Sequence, residues 1–145
     1  MPPQPDGIIT AYTQIFTGAT IERFRTLVNL HPSLLPFYRG PSPVYWCLEH
    51  GEERSGYTLH EVTERIDDGP VLRQEVVRIA ECPDATAEIL AAAIPAVIEW
   101  LRHRVTGADF PRCSVDAAAV YRVHEGYRTM TEYWENERRL GRLSH

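Results

Sequence analysis

The feature that most constrains this chain is the stretch at residues 27–40, which reads LVNLHPSLLPFYRG. It places Asn29 and His31 two positions apart in a short apolar run, and residues i and i+2 of a strand point to the same face. Pro32 ends the strand, because proline has no N–H to donate to a central ladder. An amide and an imidazole are therefore expected side by side at the C-terminal end of a strand, where open α/β sheets bind ligands.

The length and composition of the chain indicate one globular domain that spans residues 1–145. With 43% hydrophobic and 24% charged residues, a chain of 145 residues can bury a sizeable core. The net charge of −5 argues against binding to nucleic acid or to an anionic membrane. No signal-peptide pattern is visible and the longest apolar run is too short to span a bilayer, so we expect a cytoplasmic location.

The cysteines argue against both a disulfide framework and a metal site. Cys47, Cys82 and Cys113 lie far apart and show no CxxC spacing. An odd number of widely spaced cysteines is typical of reduced thiols in the cytosol. We therefore expect no metal cofactor.

The order of the predicted elements is that of an α/β fold. Apolar runs and alternation predict strands over residues 7–12, 27–31, 56–64, 71–79 and 117–123. Caps and apolar periodicity predict helical segments over residues 20–25, 43–50 after an N-cap at Ser42, 85–105 and 126–140. For the segment at 85–105, Asp84 or Thr86 can serve as the N-terminal cap, and Gly107 stands where a C-terminal cap glycine is expected. The strand at residues 7–12 reads as buried and parallel, and the strand at 56–64 reads as half-buried. Pro95 is expected to kink the long helix or break it in two.

A carboxylate from Asp67 or Asp68 can complete a site with Asn29 and His31, because the intervening helix and strand return the chain to the same end of the sheet. A neutral imidazole suits proton transfer, a carboxylate orients it and raises its pKa, and an amide donates to a developing oxyanion. This set suits acyl transfer to an amine, or hydrolysis, without a covalent intermediate. Local hydrogen bonding and an ordinary turn explain the same spacing, so the spacing alone leaves the function open.

Two longer motifs carry a family resemblance: NLHPSLLPFYRG at residues 29–40 and GYTLHEVTERIDDGPVLRQ at residues 56–74. Together they resemble the formyltransferases that use 10-formyltetrahydrofolate, including glycinamide ribonucleotide, methionyl-tRNA and sugar N-formyltransferases and formyltetrahydrofolate deformylase. The resemblance covers roughly residues 6–100. It implies an α/β fold, namely a formyltransferase-like, Rossmann-related three-layer sandwich with a mixed sheet. In the family an N-terminal nucleotide-binding-like half usually precedes this region, and we expect a truncated domain that lacks that half.

The resemblance also implies roles for individual residues. Asn29 and His31 would handle the tetrahedral intermediate, with Asp67 supporting the histidine. The formyl donor would be 10-formyltetrahydrofolate and the acceptor a small-molecule amine. The residues expected to face the folate are Tyr12, Thr13, Gln14, Ile15, Phe16, Glu64, Arg65, Ile66 and Asp68. The residues expected to contact the substrate or shape its loop are Ser33, Tyr38, Arg39, Gly40 and His60, with a structural ion pair as the alternative for Arg39.

Three functions remain open at this point: an N-formyltransferase, a 10-formyltetrahydrofolate hydrolase, and a non-catalytic remnant that binds folate or a partner. The strand at residues 7–12 is expected to present an apolar sheet edge, which is a liability for association. We therefore expect a homodimer, or a partner subunit, to cover that edge. The predicted helix at residues 126–140 is a second candidate surface.

Overall fold

A four-stranded mixed β-sheet forms the centre of the computed structural model, which describes residues 3–11, 15–111, 113, 135 and 138–139. The strands lie in the order β1 (Asp6–Thr10), β2 (Thr26–His31), β3 (Arg54–Glu61) and β4 (Val71–Arg78). β1 is parallel to β2, whereas the pairs β2–β3 and β3–β4 are antiparallel. The helices are α1 (Gly18–Ile21), α2 (Pro43–Glu49) and α3 (Ala85–Thr106). The α/β class and the mixed sheet predicted from the sequence are confirmed.

One face of the sheet is apolar and packs against α3. Val28 and Leu30 of β2 share this face with Leu59 of β3, because Leu30 and Leu59 are paired in register. All three are buried in one core cluster with Ile89 and Trp100 of α3. Burial stabilises the fold by about 1.5–3 kcal/mol for each large apolar side chain. This face holds the sheet and the long helix together.

The opposite face of β2 and β3 is polar and is also buried. Asn29 pairs with His60, and His31 pairs with Thr58, so these four side chains share that face. The loop that follows β2 covers it, since the Thr58 hydroxyl donates to the carbonyl of Ser33 at 2.7 Å. The prediction that β3 is half-buried is therefore wrong. Its alternation reflects two covered faces of different chemistry, not one covered face and one solvated face.

α3 begins and ends near the caps that the sequence indicates. The Asp84 carboxylate accepts a hydrogen bond of 3.0 Å from an N–H of the first turn, and Gly107 follows the helix with a φ of +73°. Pro95 lies inside α3, and the helix is not broken there. Ala93 before the proline and Trp100 after it are both buried in the core, which holds the two halves in one helix.

β1 is shorter and more exposed than the sequence predicts. It ends at Thr10, because Ala11 has a φ of +53° and leaves the extended conformation. The prediction that this strand is buried is wrong. β1 is an edge of the sheet within the described residues, and Ile8 is 38% exposed.

The remaining boundaries differ from the predictions by a few residues. α1 begins at Gly18 instead of residue 20, and β3 covers Arg54–Glu61 instead of 56–64. Ser42 occupies the predicted cap position of α2, but its backbone is left-handed and its side chain makes no capping hydrogen bond. The predicted strand at 117–123, and all but three residues of the predicted helix at 126–140, lie outside the described residues.

The described part of the chain contains no helix that is long and apolar enough to cross a membrane. Cys47, Cys82 and Cys113 are free thiols. Over the same described ranges, no group of three or more His, Cys, Asp or Glu side chains is arranged to hold a metal ion.

Candidate active site

Four polar side chains meet on the covered polar face of the sheet. Asn29 and His31 come from β2, His60 from β3, and Asp67 from the loop between β3 and β4. The Asp67 carboxylate lies 3.1 Å from the amide nitrogen of Asn29 and 3.5 Å from Nδ1 of His31. The amide nitrogen of Asn29 also lies 3.2 Å from Nε2 of His60. The structure thus brings together the predicted amide, imidazole and carboxylate, with a second imidazole beside them.

The Asp-Asp-Gly-Pro turn brings Asp67 to this position. The N–H of Glu61 bonds to the carbonyl of Pro70 at 2.9 Å, which closes the loop after β3. No side chain fits at Gly69, because a Cβ there would lie 1.7 Å from the carbonyl oxygen of Glu61. The loop can therefore double back against the end of β3 only with glycine at this position.

The backbone holds His31 in one tautomer. Its Nε2 lies 2.9 Å from the carbonyl oxygen of Tyr38, which can only accept, so Nε2 carries the hydrogen. In the neutral ring Nδ1 then bears the lone pair and faces Oδ2 of Asp67 at 3.5 Å, longer than an ordinary hydrogen bond. A proton that His31 takes up therefore arrives at Nδ1, beside the Asp67 carboxylate.

Burial lowers the pKa of His31 below its ordinary value of 6.5. The Asp67 charge and the Tyr38 carbonyl act in the opposite direction but do not outweigh burial, since the side chain is only 6% exposed. His31 is therefore a neutral base at pH 7, and its cationic form has a carboxylate next to it.

Asp67 connects the other members of the site. Its Oδ2 accepts a hydrogen bond from the Gly40 N–H at 2.9 Å, and its Oδ1 accepts one from Asn29 at 3.1 Å. Burial alone would raise the pKa of Asp67, but the neighbouring His60 and His31 and the Gly40 N–H together lower it to about 2. Asp67 is therefore ionised at neutral pH.

Asn29 is held by two acceptors. Nδ1 of His60 lies 2.9 Å from the carbonyl oxygen of Glu61, so Nδ1 carries the hydrogen and Nε2 accepts from Asn29. Oδ1 of Asp67 accepts the other amide hydrogen. The Asn29 amide can therefore donate to a substrate oxygen only when that oxygen replaces one of these two acceptors.

The site opens into a cavity of about 530 Å³ with largely apolar walls. Ile15 and Ile66 lie along it and are 65% and 53% exposed. Phe16 and Pro41 contribute further apolar surface. Apolar walls with a few convergent polar groups are typical of a pocket for a small organic molecule.

Part of the predicted folate-facing set lines this cavity, namely Ile15, Phe16, Arg65 and Ile66. Glu64 and Asp68 do not line it, because each has a partner elsewhere. Glu64 accepts a hydrogen bond from the Gly18 N–H at 2.8 Å, and Asp68 pairs with Arg39 at 2.6 Å. Tyr12, Thr13 and Gln14 lie outside the described residues.

The residues predicted to contact the substrate or shape its loop divide in a similar way: Gly40 and His60 line the cavity, whereas Ser33, Tyr38 and Arg39 do not. Ser33 is completely buried, and its hydroxyl donates to the carbonyl of Phe37 at 2.8 Å. Arg39 forms an ion pair with Asp68, which is the structural alternative to a contact with the substrate. The Tyr38 side chain makes its hydrogen bonds outside the cavity, although its carbonyl holds His31.

Several further residues line the cavity, although the sequence analysis places none of them at the site: Ile9, Pro41, Val44, Val62, Thr63 and Thr86. Thr86 is distant from the motifs in sequence, and only the packing of α3 against the sheet brings it here. Pro41 follows the family-like motif directly, and its position beside Gly40 is the one available signal. Tyr45 of α2 also lines the cavity and is 57% exposed.

Comparison with known proteins identifies the family of the chain. Residues 3–103 match the formyl transferase family, and the chain belongs to that family. It is 36% identical over 125 residues to a methionyl-tRNA formyltransferase from Roseiflexus castenholzii. That alignment covers 81% of this chain and 39% of the relative. It is 42% identical over 80 residues to the bifunctional polymyxin resistance protein ArnA of Wigglesworthia glossinidia brevipalpis. That alignment covers 54% of this chain and 12% of ArnA.

Solved structures show the same fold. Glycinamide ribonucleotide transformylase 1 from Symbiobacterium toebii has a TM-score of 0.58 at 32% identity, over 66% of this chain and 47% of that one. A 4-N formyltransferase from Francisella tularensis has a TM-score of 0.62 at 21% identity, over 75% of this chain and 45% of that one, which shows the fold alone. The chain spans less than half the length of the curated relatives it matches.

Proposed function

We propose that the chain transfers a formyl group from 10-formyltetrahydrofolate to the amine of a small-molecule acceptor. The observation that carries this proposal is the convergence of Asn29, His31 and Asp67 on one cavity, in a chain of the formyl transferase family. The reaction needs a proton acceptor, a charge that stabilises the protonated acceptor, and a hydrogen-bond donor for an oxyanion. These three side chains supply one each.

In the proposed reaction the acceptor nitrogen attacks the formyl carbon, a new C–N bond forms, and the carbonyl oxygen becomes an oxyanion. Nδ1 of His31 takes the proton that the nitrogen loses, and Asp67, 3.5 Å away, stabilises the imidazolium. The oxyanion then collapses, the bond to N10 of the folate breaks, and N10 takes the proton from His31. The products are the formylated amine and tetrahydrofolate.

Asn29 is the proposed donor to the oxyanion. Its amide hydrogens are held by Nε2 of His60 at 3.2 Å and by Oδ1 of Asp67 at 3.1 Å. A hydrogen bond to a carboxylate is stronger than one to a neutral ring nitrogen. We therefore expect the substrate oxygen to take the place of His60, while Asp67 continues to hold the amide.

The shape of the cavity supports a folate as the formyl donor. Its volume of about 530 Å³ lies in the usual range for sites that hold drug-sized molecules. Ile15 and Phe16 from the loop after β1, and Ile66 from the loop that carries Asp67, offer apolar surface to a flat ring. The reactive end of the ligand would then meet His31 and Asn29.

Incubation of the purified chain with 10-formyltetrahydrofolate, alone and with a panel of amines, tests the proposal. We expect tetrahydrofolate to form when an acceptor is present, with the formyl group recovered on the amine. Formate release at the same rate with and without amines would identify a hydrolase. Binding of the folate without turnover would identify a binding module, and either result contradicts formyl transfer.

We also propose that the β1 edge pairs with a second copy of the chain. This rests on β1 being an edge of the described sheet and on the 38% exposure of Ile8 in an apolar strand. Size-exclusion chromatography with light scattering should give twice the mass of one chain, and a strict monomer at all concentrations contradicts the proposal.

A further inference from the structure

We propose that the side chain of Tyr38 is a positioning residue for His31. Its hydroxyl, anchored on the buried Glu52, holds in place the backbone carbonyl that fixes the tautomer of His31. The expected effect on rate rests on the proposed function, but the tautomer can be measured without any turnover.

The backbone of residues 38–40 joins the imidazole and the carboxylate of the site. The Tyr38 carbonyl accepts the hydrogen of His31 Nε2 at 2.9 Å, and the Gly40 N–H donates to Oδ2 of Asp67 at 2.9 Å. Three consecutive residues therefore keep Nδ1 of His31 facing the carboxylate. A shift of this segment would move both contacts at once.

The Tyr38 side chain ties this segment to the chain beyond α2. Its hydroxyl donates to Oε1 of Glu52 at 2.7 Å and lies 3.1 Å from Nδ1 of His50. Glu52 is only 4% exposed, and its N–H bonds to the carbonyl of Cys47 at 3.0 Å. Burial and the Glu52 carboxylate raise the pKa of Tyr38 above its ordinary value, so the hydroxyl keeps its hydrogen and remains a donor.

The anchor matters because the backbone of Tyr38 is in the left-handed region, with a φ of +56°. That region is disfavoured for a residue with a Cβ, because the Cβ lies too close to the following carbonyl oxygen. Without the hydroxyl contact, less holds the backbone there, and a return to negative φ turns the carbonyl away from His31. Nε2 then loses its acceptor, and the hydrogen can move to Nδ1. With the hydrogen on Nδ1, the ring has no lone pair on the side of Asp67.

Two substitutions that each remove one hydroxyl separate this role from a general loss of packing. Tyr38→Phe keeps the ring and removes the contact to Glu52. Tyr57→Phe is the matched control, because the Tyr57 hydroxyl also donates to a carboxylate, Glu75, at 3.0 Å. Tyr57 lies on the opposite face of the sheet from the site, in the core cluster.

The tautomer of His31 is read from the nitrogen chemical shifts of its ring at a pH where the ring is neutral. We expect only the Nε2–H form in the unmodified protein and in Tyr57→Phe. In Tyr38→Phe we expect a mixture in which the Nδ1–H form is clearly populated. A pure Nε2–H form in folded Tyr38→Phe would overturn the proposal.

Substitutions of Glu52 make the same comparison if Tyr38→Phe does not fold. Glu52→Gln keeps an acceptor for the Tyr38 hydroxyl and should retain the Nε2–H form, whereas Glu52→Leu should give the mixture. Equal tautomer populations in Glu52→Gln and Glu52→Leu would also overturn the proposal.

The rate measurement follows once formyl transfer is detected. Loss of the correct orientation of a general base should lower kcat about 10- to 100-fold in Tyr38→Phe, with KM little changed, and Tyr57→Phe should not alter kcat. If no turnover is found with any amine, the proposed function fails while the tautomer result stands. If turnover is found and the tautomer does not change, the positioning role fails alone.

Discussion

The two faces of the β2–β3 pair are both covered, but different interactions hold them. On the face that carries α3, Leu30 and Leu59 are buried in an apolar cluster, where contact and area matter more than direction. On the site face, His31 and Thr58 are also buried, but hydrogen bonds between particular atoms hold them. Nε2 of His31 bonds to the Tyr38 carbonyl, and the Thr58 hydroxyl bonds to the Ser33 carbonyl. Burial therefore has a different effect on each face of the sheet. On the face that carries α3 it stabilises the fold, and on the site face it fixes the His31 tautomer and the position of the Asp67 carboxylate.

Removal of Leu59 from the apolar face should give the largest loss of stability. Leu59→Ala deletes a completely buried side chain, and such a change costs about 2–5 kcal/mol in the free energy of unfolding. Chemical denaturation followed by circular dichroism measures the loss. Val76→Ala, on a side chain that is 45% exposed, is the control and should cost far less. Equal losses for the two variants would contradict the packing described for this face.

Removal of the Thr58 hydroxyl, which lies on the site face, should lower the free energy of unfolding by less than Leu59→Ala does. Thr58→Val keeps the shape of the side chain but deletes an acceptor for the Leu35 N–H at 3.0 Å and a donor to the Ser33 carbonyl at 2.7 Å. Leaving buried polar groups unpaired costs about 1–3 kcal/mol. Thr58→Ser retains the hydroxyl and should recover part of that loss. If Thr58→Ser is no more stable than Thr58→Val, the hydrogen bonds are not what holds this face.

Acid should weaken the site face by a smaller and pH-limited amount. The fold lowers the pKa of Asp67 from 3.8 to about 2. The ionised Asp67 therefore stabilises the folded state fully above pH 3.8, and this stabilisation is lost as the pH falls from 3.8 toward 2. The shift corresponds to up to about 2 kcal/mol. Because the pKa of His31 is also lowered, a further loss begins earlier, as the pH falls through 6.5.

Unfolding free energies measured across the acid range check this prediction. Asp67→Asn should flatten the part of the curve below pH 4, while a substitution at Asp84, the cap of α3, should lower the whole curve and leave that slope in place. A slope below pH 4 that is unchanged in Asp67→Asn would show that other carboxylates cause it.

Much of the site could be predicted because its signals are local. The two-residue spacing of Asn29 and His31 fixes their common face in any strand, and the Asp-Asp-Gly-Pro sequence is by itself a turn signal. The caps of α3 are local as well. Thr86, by contrast, reaches the cavity through the packing of α3 as a whole, and no nearby sequence pattern indicates that it lines the cavity.

The details that decide the chemistry depend on partners that no spacing rule identifies. The tautomer of His31 is set by the backbone carbonyl of Tyr38, and the acceptors of Asn29 are His60 and Asp67. The sequence indicates an amide, an imidazole and a carboxylate at the site, but not that His60 and Asp67 already accept both amide hydrogens of Asn29. The burial of β3 on both faces was missed for the same reason, because a loop without regular structure covers one of them.

The most direct measurement of the proposed site is the single-turnover rate of tetrahydrofolate formation from 10-formyltetrahydrofolate and an amine, for the unmodified protein and for His31→Ala. Loss of a general base costs about 10²- to 10⁴-fold in rate. We expect a drop of that size in His31→Ala, with a cooperative unfolding transition retained. An unchanged rate in a folded His31→Ala variant would contradict the assignment of proton transfer to this residue.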